Sequence, residues 1–185
     1  MKKASLFVAI VLVLSSSVRA QEYPARVITL VAPFPPGGPS DTTARLIMGP
    51  MAKALRQQIV VENVTGAGGV IGSNRVAKAA PDGYTLMVSG SGTHAAVEHL
   101  KKDLPYRSSD FEQIGLINTS PVVLVARSGL PPDTLKELVG YLKANEKNVT
   151  EADAGVGSIS NLACSLFHSL AHAIRRWHPI VARRR

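Results

Sequence analysis

The sequence predicts an α/β fold with a parallel sheet, and two observations carry that reading. Short, continuous apolar runs of strand length alternate with stretches whose apolar residues recur at helical spacing, the pattern of strands covered on both faces by helices. Each of the first three runs also ends in a turn rich in glycine and hydroxyl or other polar side chains. In a parallel sheet such turns fall on one edge, where ligands of open α/β sheets bind.

Tyr23-Pro24 leads into the first run, Val27-Ile28-Thr29-Leu30-Val31-Ala32, and Phe34-Pro35-Pro36-Gly37-Gly38-Pro39-Ser40-Asp41 follows it. The prolines stiffen the approach, the glycines permit positive φ, and Ser40 or Asp41 can cap the next helix. Unpaired N–H groups at the positive end of that helix suit a carboxylate or phosphate. A tight connection with no ligand explains one such turn equally well. The helix is expected over 42–55, with Ala44, Ile47, Met48, Met51 and Leu55 as its apolar face and Gly49-Pro50 as a point of kinking or splitting.

A second strand is expected over 58–62, completing a parallel βαβ unit. The glycine turn Gly66-Ala67-Gly68-Gly69 opens a helix over 71–79, and a third strand over 84–88 runs into Ser89-Gly90-Ser91-Gly92-Thr93-His94 ahead of a helical stretch over 95–100. Val122-Val123-Leu124-Val125-Ala126 is expected as the strand that starts a second domain. A helix capped by Asp133 or Thr134 follows, and 147–154 is a poor candidate for another strand. A fourth turn, Gly155-Val156-Gly157-Ser158-Ile159-Ser160-Asn161, repeats the chemistry of the first three and is expected to face them across a cleft.

The formal charge of +8 suggests a polyanion binder until it is divided by position. Lys2, Lys3 and Arg19 lie in the first 20 residues and five arginines in the last 15, while the 13 basic side chains between them are balanced by 13 acidic ones. The body is neutral, so no nucleic-acid partner is expected. Two lysines, an apolar run and Val18-Arg19-Ala20 make residues 1–20 a signal peptide, cut after Ala20, and the apolar run is too short to span a bilayer. Cys164 is the sole cysteine, so no intramolecular disulfide forms, and a small buried hydrophobe is its expected role.

Gly66 and Gly68 match the first two glycines of a dinucleotide fingerprint, but the third position is Ile71, with Gly72 one residue late. A nucleotide-dependent enzyme is therefore the weak alternative. No catalytic triad or metal cluster is suggested, and neither enzymatic activity nor a cofactor is expected.

Together these segments resemble the Bug proteins, extracytoplasmic solute-binding receptors of the tripartite tricarboxylate transporter type. The resemblance rests on Tyr23-Pro24 with Ile28-Thr29-Leu30-Val31, Pro33 to Asp41, Val60-Val61-Glu62-Asn63 with Gly66-Ala67-Gly68-Gly69, Ala77-Lys78-Ala79-Ala80-Pro81-Asp82-Gly83-Tyr84-Thr85-Leu86, and Asp110-Phe111. It implies a periplasmic binding protein type II-like fold, with two Rossmann-like parallel-sheet domains closing at a hinge on a small organic acid. The protein would then be a periplasmic monomer delivering a di- or tricarboxylate to membrane transport subunits or a sensor. By position, the resemblance assigns ligand contacts to Pro36, Gly37, Gly38, Ser40 and Asp41, to Ser89, Ser91, Thr93 and His94, and to Gly157, Ser158, Ser160 and Asn161. Asp41 would also shape its turn, and Gly66 to Gly72 would be structural or at the site's edge.

The implied division is a signal peptide over 1–20, a first α/β domain over 21–120, the start of a second over 121–167, and a divergent basic tail over 168–185. Glu151 and Asp153 add negative charge near an anion site, so weaker or altered binding is expected. The likeness fades after Phe167, and the tail holds three of the five histidines, the only tryptophan and five arginines. His168 and His172 would share a helix face without further metal ligands nearby. The tail reads as a basic membrane-surface helix or, more plainly, as a frameshifted end. The second domain would then be incomplete and the chain a receptor fragment without a working site.

Overall fold

A computed structural model describes residues 22–172. The expected signal peptide and residues 173–185 of the basic tail lie outside the described residues.

Three parallel strands form the sheet, in the order β2-β1-β3. β1 (Ile28–Ala32) is central, with β2 (Ile59–Asn63) and β3 (Thr85–Met87) beside it. Ile28 registers with Ile59 and Ala32 with Asn63, while Thr29 and Val31 register with Thr85 and Met87. All three strands therefore point the same way, and the turns that follow them leave from one edge.

Among the described residues there are five α-helices: α1 (Pro39–Leu55), α2 (Val70–Ala77), the single turn α3 (Val97–Leu100), α4 (Leu135–Ala144) and α5 (Ile159–Ala171). α1 begins three residues before the expected boundary, because Pro39 at its first position carries the φ a helix needs and lacks an N–H that would go unpaired there. Neither Ser40 nor Asp41 is the cap; Gly38 holds that position. Gly49-Pro50 does not split the helix. Pro50 lacks the N–H that would bond the Leu46 carbonyl, yet the helix continues through it to Leu55. α1 ends at Arg56 in a left-handed conformation, φ 51°, whose N–H bonds the Ala52 carbonyl.

Two apolar clusters hold these elements. Ile28, Leu30, Ala44, Ile59 and Val88 are buried against Ile47, Met48, Met51 and Leu55 of α1. Val70, Val97 and Tyr106 form the second cluster, with Leu104 and Phe111 packed on it. Full burial of each aliphatic side chain contributes roughly 1.5–3 kcal/mol, so the heaviest packing lies along β1.

The expected strand over 122–126 is not formed. Those residues are exposed, with Val123 at 71% and Val125 at 83%. A strand exists only through a neighbour's ladder of hydrogen bonds, and the described residues supply none here. Over 147–154 Glu151 makes an isolated β-bridge but no strand extends from it, and Thr150-Glu151-Ala152-Asp153 is poor strand sequence. The stretch after β3 turns helical earlier than expected: a wide helical turn over Gly92–Ala96 precedes α3, so Thr93 and His94 lie inside it. Cys164 is half-buried in α5 rather than fully enclosed.

Candidate functional site

The first turn leaves β1 and enters α1. Gly37 has φ +80°, a conformation glycine reaches without a Cβ penalty. Asp41, third in the helix and only 3% exposed, reaches back to accept from the Gly37 N–H at 2.9 Å. Its oxygens also accept from Arg45 Nε at 3.0 Å and Asn63 Nδ2 at 3.0 Å. The Arg45 guanidinium first, and then the Gly37 N–H, hold its carboxyl at about 2, well below the usual range. A carboxylate so fully engaged closes the turn; its oxygens are committed to protein donors. The N–H groups of Ser40 and Asp41, in the helix's first turn, have no partner within it.

The fourth turn is built on the same plan. Gly157 has φ +91° and precedes Ser158, the N-cap of α5. Ser158 Oγ accepts from the Asn161 N–H at 3.2 Å and lies 3.1 Å from Ser160 Oγ. Asp153 accepts from the Gly155 N–H and from Asn161 Nδ2, both at 2.7 Å. Asp153 thus does for this turn what Asp41 does for the first. Glu151 is turned toward His168, with which it pairs directly. Both acids that the sequence places near an anion site are engaged by their own surroundings.

Ser89, Gly90 and Ser91 of the third turn are exposed, while Thr93 is buried. Thr93 Oγ1 donates to the Gly90 carbonyl at 3.1 Å and meets His94 Nδ1 at 3.1 Å, and its own carbonyl accepts from Tyr106 Oη at 2.8 Å. Thr93 therefore braces the turn from beneath. The half-buried His94 ring packs edge-on against Phe111 at 4.4 Å. Burial pushes its imidazole below the usual histidine range, with nearby Glu98 opposing the shift.

Glycines bring the turns together. Gly68 has φ +71°, and a Cβ there would come 2.2 Å from the Val156 carbonyl oxygen. A Cβ on Gly92 would come 2.9 Å from the Gly157 oxygen, and one on Gly69 would meet Thr93 Cγ2 at 2.6 Å and the Phe34 ring at 3.2 Å. The second turn is thus a wedge touching the first, third and fourth. The fourth turn sits directly against Gly68 and Gly92, with backbone contact where a cleft was expected. A concavity of about 430 Å³ bordered by Glu98, Lys101, Lys102 and Arg107 includes none of the four turns.

The sequence assigned no site role to Arg45, Asn63, Tyr106 and Phe111, although Asn63 and Phe111 stand in the motifs that carry the resemblance. Arg45 was available as the i, i+4 partner of Asp41; the other three act through contacts distant in sequence. Among the described residues no group of three His, Cys, Asp or Glu is placed to hold a metal ion, and no helix is long and apolar enough to cross a membrane.

A parallel α/β sheet whose strand ends carry closely packed, donor-rich turns is the architecture of periplasmic binding proteins, and solved structures of that class superpose on this chain. The malate-bound MatC of Rhodopseudomonas palustris matches with TM-score 0.82 and 44% identity over 85% of this chain and 54% of its own. The periplasmic binding protein BugD matches with TM-score 0.76 and 36% identity, covering 85% of this chain and 52% of its own. An R. palustris protein with adipate matches with TM-score 0.71 and 27% identity, over 86% and 54% of the two chains. The family model described as tripartite tricarboxylate transporter family receptor matches residues 43–178. The chain belongs to this family, which includes the Bug proteins. BugT of Bordetella pertussis is 39% identical over 83% of this chain and 48% of its own length. The protein in the TAR-I ttuE-ttuC' intergenic region of Agrobacterium vitis is 42% identical, over 85% of this chain and 47% of its own. The chain spans about half the length of the curated relatives it matches. The family match runs past Phe167, where the likeness was expected to fade; α5 continues to Ala171, and His168 pairs within the described structure.

Proposed function

We propose that this protein is a periplasmic receptor for a small di- or tricarboxylate, delivered to the membrane subunits of a tripartite transporter or to a sensor. The observation that carries the reading is the convergence of the turns at Gly37, Ser89 and Gly157, packed together through Gly68, Gly69 and Gly92. Family relatives with bound malate and adipate support the ligand class. In this reading the acid is held by N–H groups near Pro36, Gly37, Gly38 and Ser40, by the exposed hydroxyls of Ser89 and Ser91, and by groups around Gly157 and Ser160. Asp41, Thr93, Ser158 and Asn161 hold the turns in shape, and His94 borders the site. The receptor acts as a monomer and without catalysis or cofactor. Residues 1–20 direct export, 21–120 form one domain, and 121–167 begin another, with the family match continuing to residue 178.

A second reading is favoured by the share of the relatives that the chain spans: a receptor half that holds no acid alone, because affinity in closing receptors comes from enclosing the ligand. Calorimetric titration with malate, adipate, a tricarboxylate and NAD separates the readings. Saturable heat with one acid and none with NAD is expected. Heat with NAD alone would overturn the receptor assignment, and silence with every ligand from a cooperatively melting chain would favour the second reading.

A further inference from the structure

The concavity of about 430 Å³ outside the four turns gathers charge of one sign. Lys101, Lys102 and Arg107 border it with Glu98, Ser108 and Ser109. Leu104 and Tyr106 complete the lining and belong to the second apolar cluster, so the basic side chains stand on a packed wall. The nearby acids leave these cations unbalanced. Glu98, the one carboxylate in the lining, accepts from the Ser108 N–H, and that bond first of all holds its carboxyl below the usual glutamate range. Asp110 accepts from the Arg107 N–H at 2.8 Å. Both carboxylates are thus tied to main-chain donors, and among the described residues none forms a salt bridge with Lys101, Lys102 or Arg107.

Three cations converging on one hollow repel each other unless an anion lies among them. The donors present suit an oxyanion. A guanidinium fork takes two oxygens of a carboxylate or phosphate, and an ammonium adds a point charge with three donors. Lys101 spends one of its three on the Ala67 carbonyl at 3.2 Å, which anchors its head at the rim. We propose that this concavity binds a small oxyanion of two or more charges, a phosphate or a polycarboxylate, at a site separate from the four turns. Lys102 and Arg107 face it as exposed cations, and the Ser109 hydroxyl adds a neutral donor. The rim is also bonded to two of the turns, through Lys101 to Ala67 of the second and through Ser108 Oγ to the His94 carbonyl of the third.

The test titrates the chain with inorganic phosphate and with citrate at about 0.15 M salt, by calorimetry for saturation and by amide NMR for position. Saturable one-to-one binding of at least one probe is expected, shifting amides over 98–109 and weakening as salt rises. Phosphate alone would mark a phosphate compound as the ligand, and citrate alone a polycarboxylate. Lys102→Gln with Arg107→Gln is expected to weaken binding at least tenfold without lowering the melting temperature of the ligand-free chain. Lys136→Gln, at an exposed position of α4, is expected to change nothing. Three results would overturn the proposal: no saturation with either probe, shifts confined to the four turns, or binding indifferent to the paired substitution. Neither substituted residue belongs to the turns, so the receptor reading stands or falls apart from these outcomes.

Discussion

Asp41 shows how one side chain sets the chemistry of a turn. Its carboxylate is held by Arg45, the Gly37 N–H and Asn63, which lowers its pKa from 3.8 to about 2. The unfolded chain therefore binds more protons than the folded one between those values, and stability rises with pH across that interval. The contribution is fully present above about pH 4 and disappears as pH falls through 2. Asp41→Asn is expected to lower the melting temperature at pH 7, with the gap from the native protein closing on acidification. Melting curves recorded from pH 2 to 7 check this. Gly37 and Gly68 allow a second comparison, because both have positive φ but only Gly68 is in close backbone contact. Gly37→Ala is expected to cost about 1–2 kcal/mol for the left-handed backbone alone. Gly68→Ala is expected to cost more, since Val156 must also move. Denaturant titration of the two variants measures the difference, and equal losses would mean that the contact between the second and fourth turns contributes nothing.

At the scale of elements, packing decides which sequence patterns become structure. α1 forms through Gly49-Pro50 because apolar residues on both sides of the break, Ile47 and Met48 before it and Met51 and Leu55 after it, pack on the same core. The run over 122–126 has better strand composition than β3, yet it stays irregular for want of a neighbouring strand. α4 lies between these cases. Thr134 caps it by accepting from the Glu137 N–H, and Gly140 in its interior has no atom within 4 Å of where a Cβ would sit. Gly140→Ala is expected to stabilise the protein by about 0.5–1 kcal/mol, read as a higher denaturation midpoint. Ile28→Ala, at a fully buried position in β1, is expected to destabilise it by about 2–5 kcal/mol.

For the molecule as a whole, ligand binding and stability are linked. An acid that binds the folded state alone raises stability by about 2.7 kcal/mol at a hundredfold excess over its dissociation constant. A rising melting temperature with malate or adipate is therefore the expected mark of a competent receptor, and no shift with any acid marks a half that needs its complement. The Asp41 and Gly68 variants should reduce this shift more than Gly140→Ala, because they alter turns of the candidate site while Gly140 stands apart from it.

Periodicity and turn chemistry were enough to read the three strands, the helices that follow them and the four glycine turns, because strand and helix patterns and the need for positive φ are local properties. The resemblance to Bug receptors was legible for the same reason, its motifs being the turns themselves. That Asp41 shapes its turn was expected from the resemblance; tertiary structure alone decided that Asn63 joins Arg45 and the Gly37 N–H in holding it. It likewise decided that Thr93 is a buried brace and that Gly68 touches Val156. These depend on residues far apart in sequence arriving at one place. The run over 122–126 marks the same boundary: its composition states a preference for a strand, and a strand needs a partner that composition cannot supply.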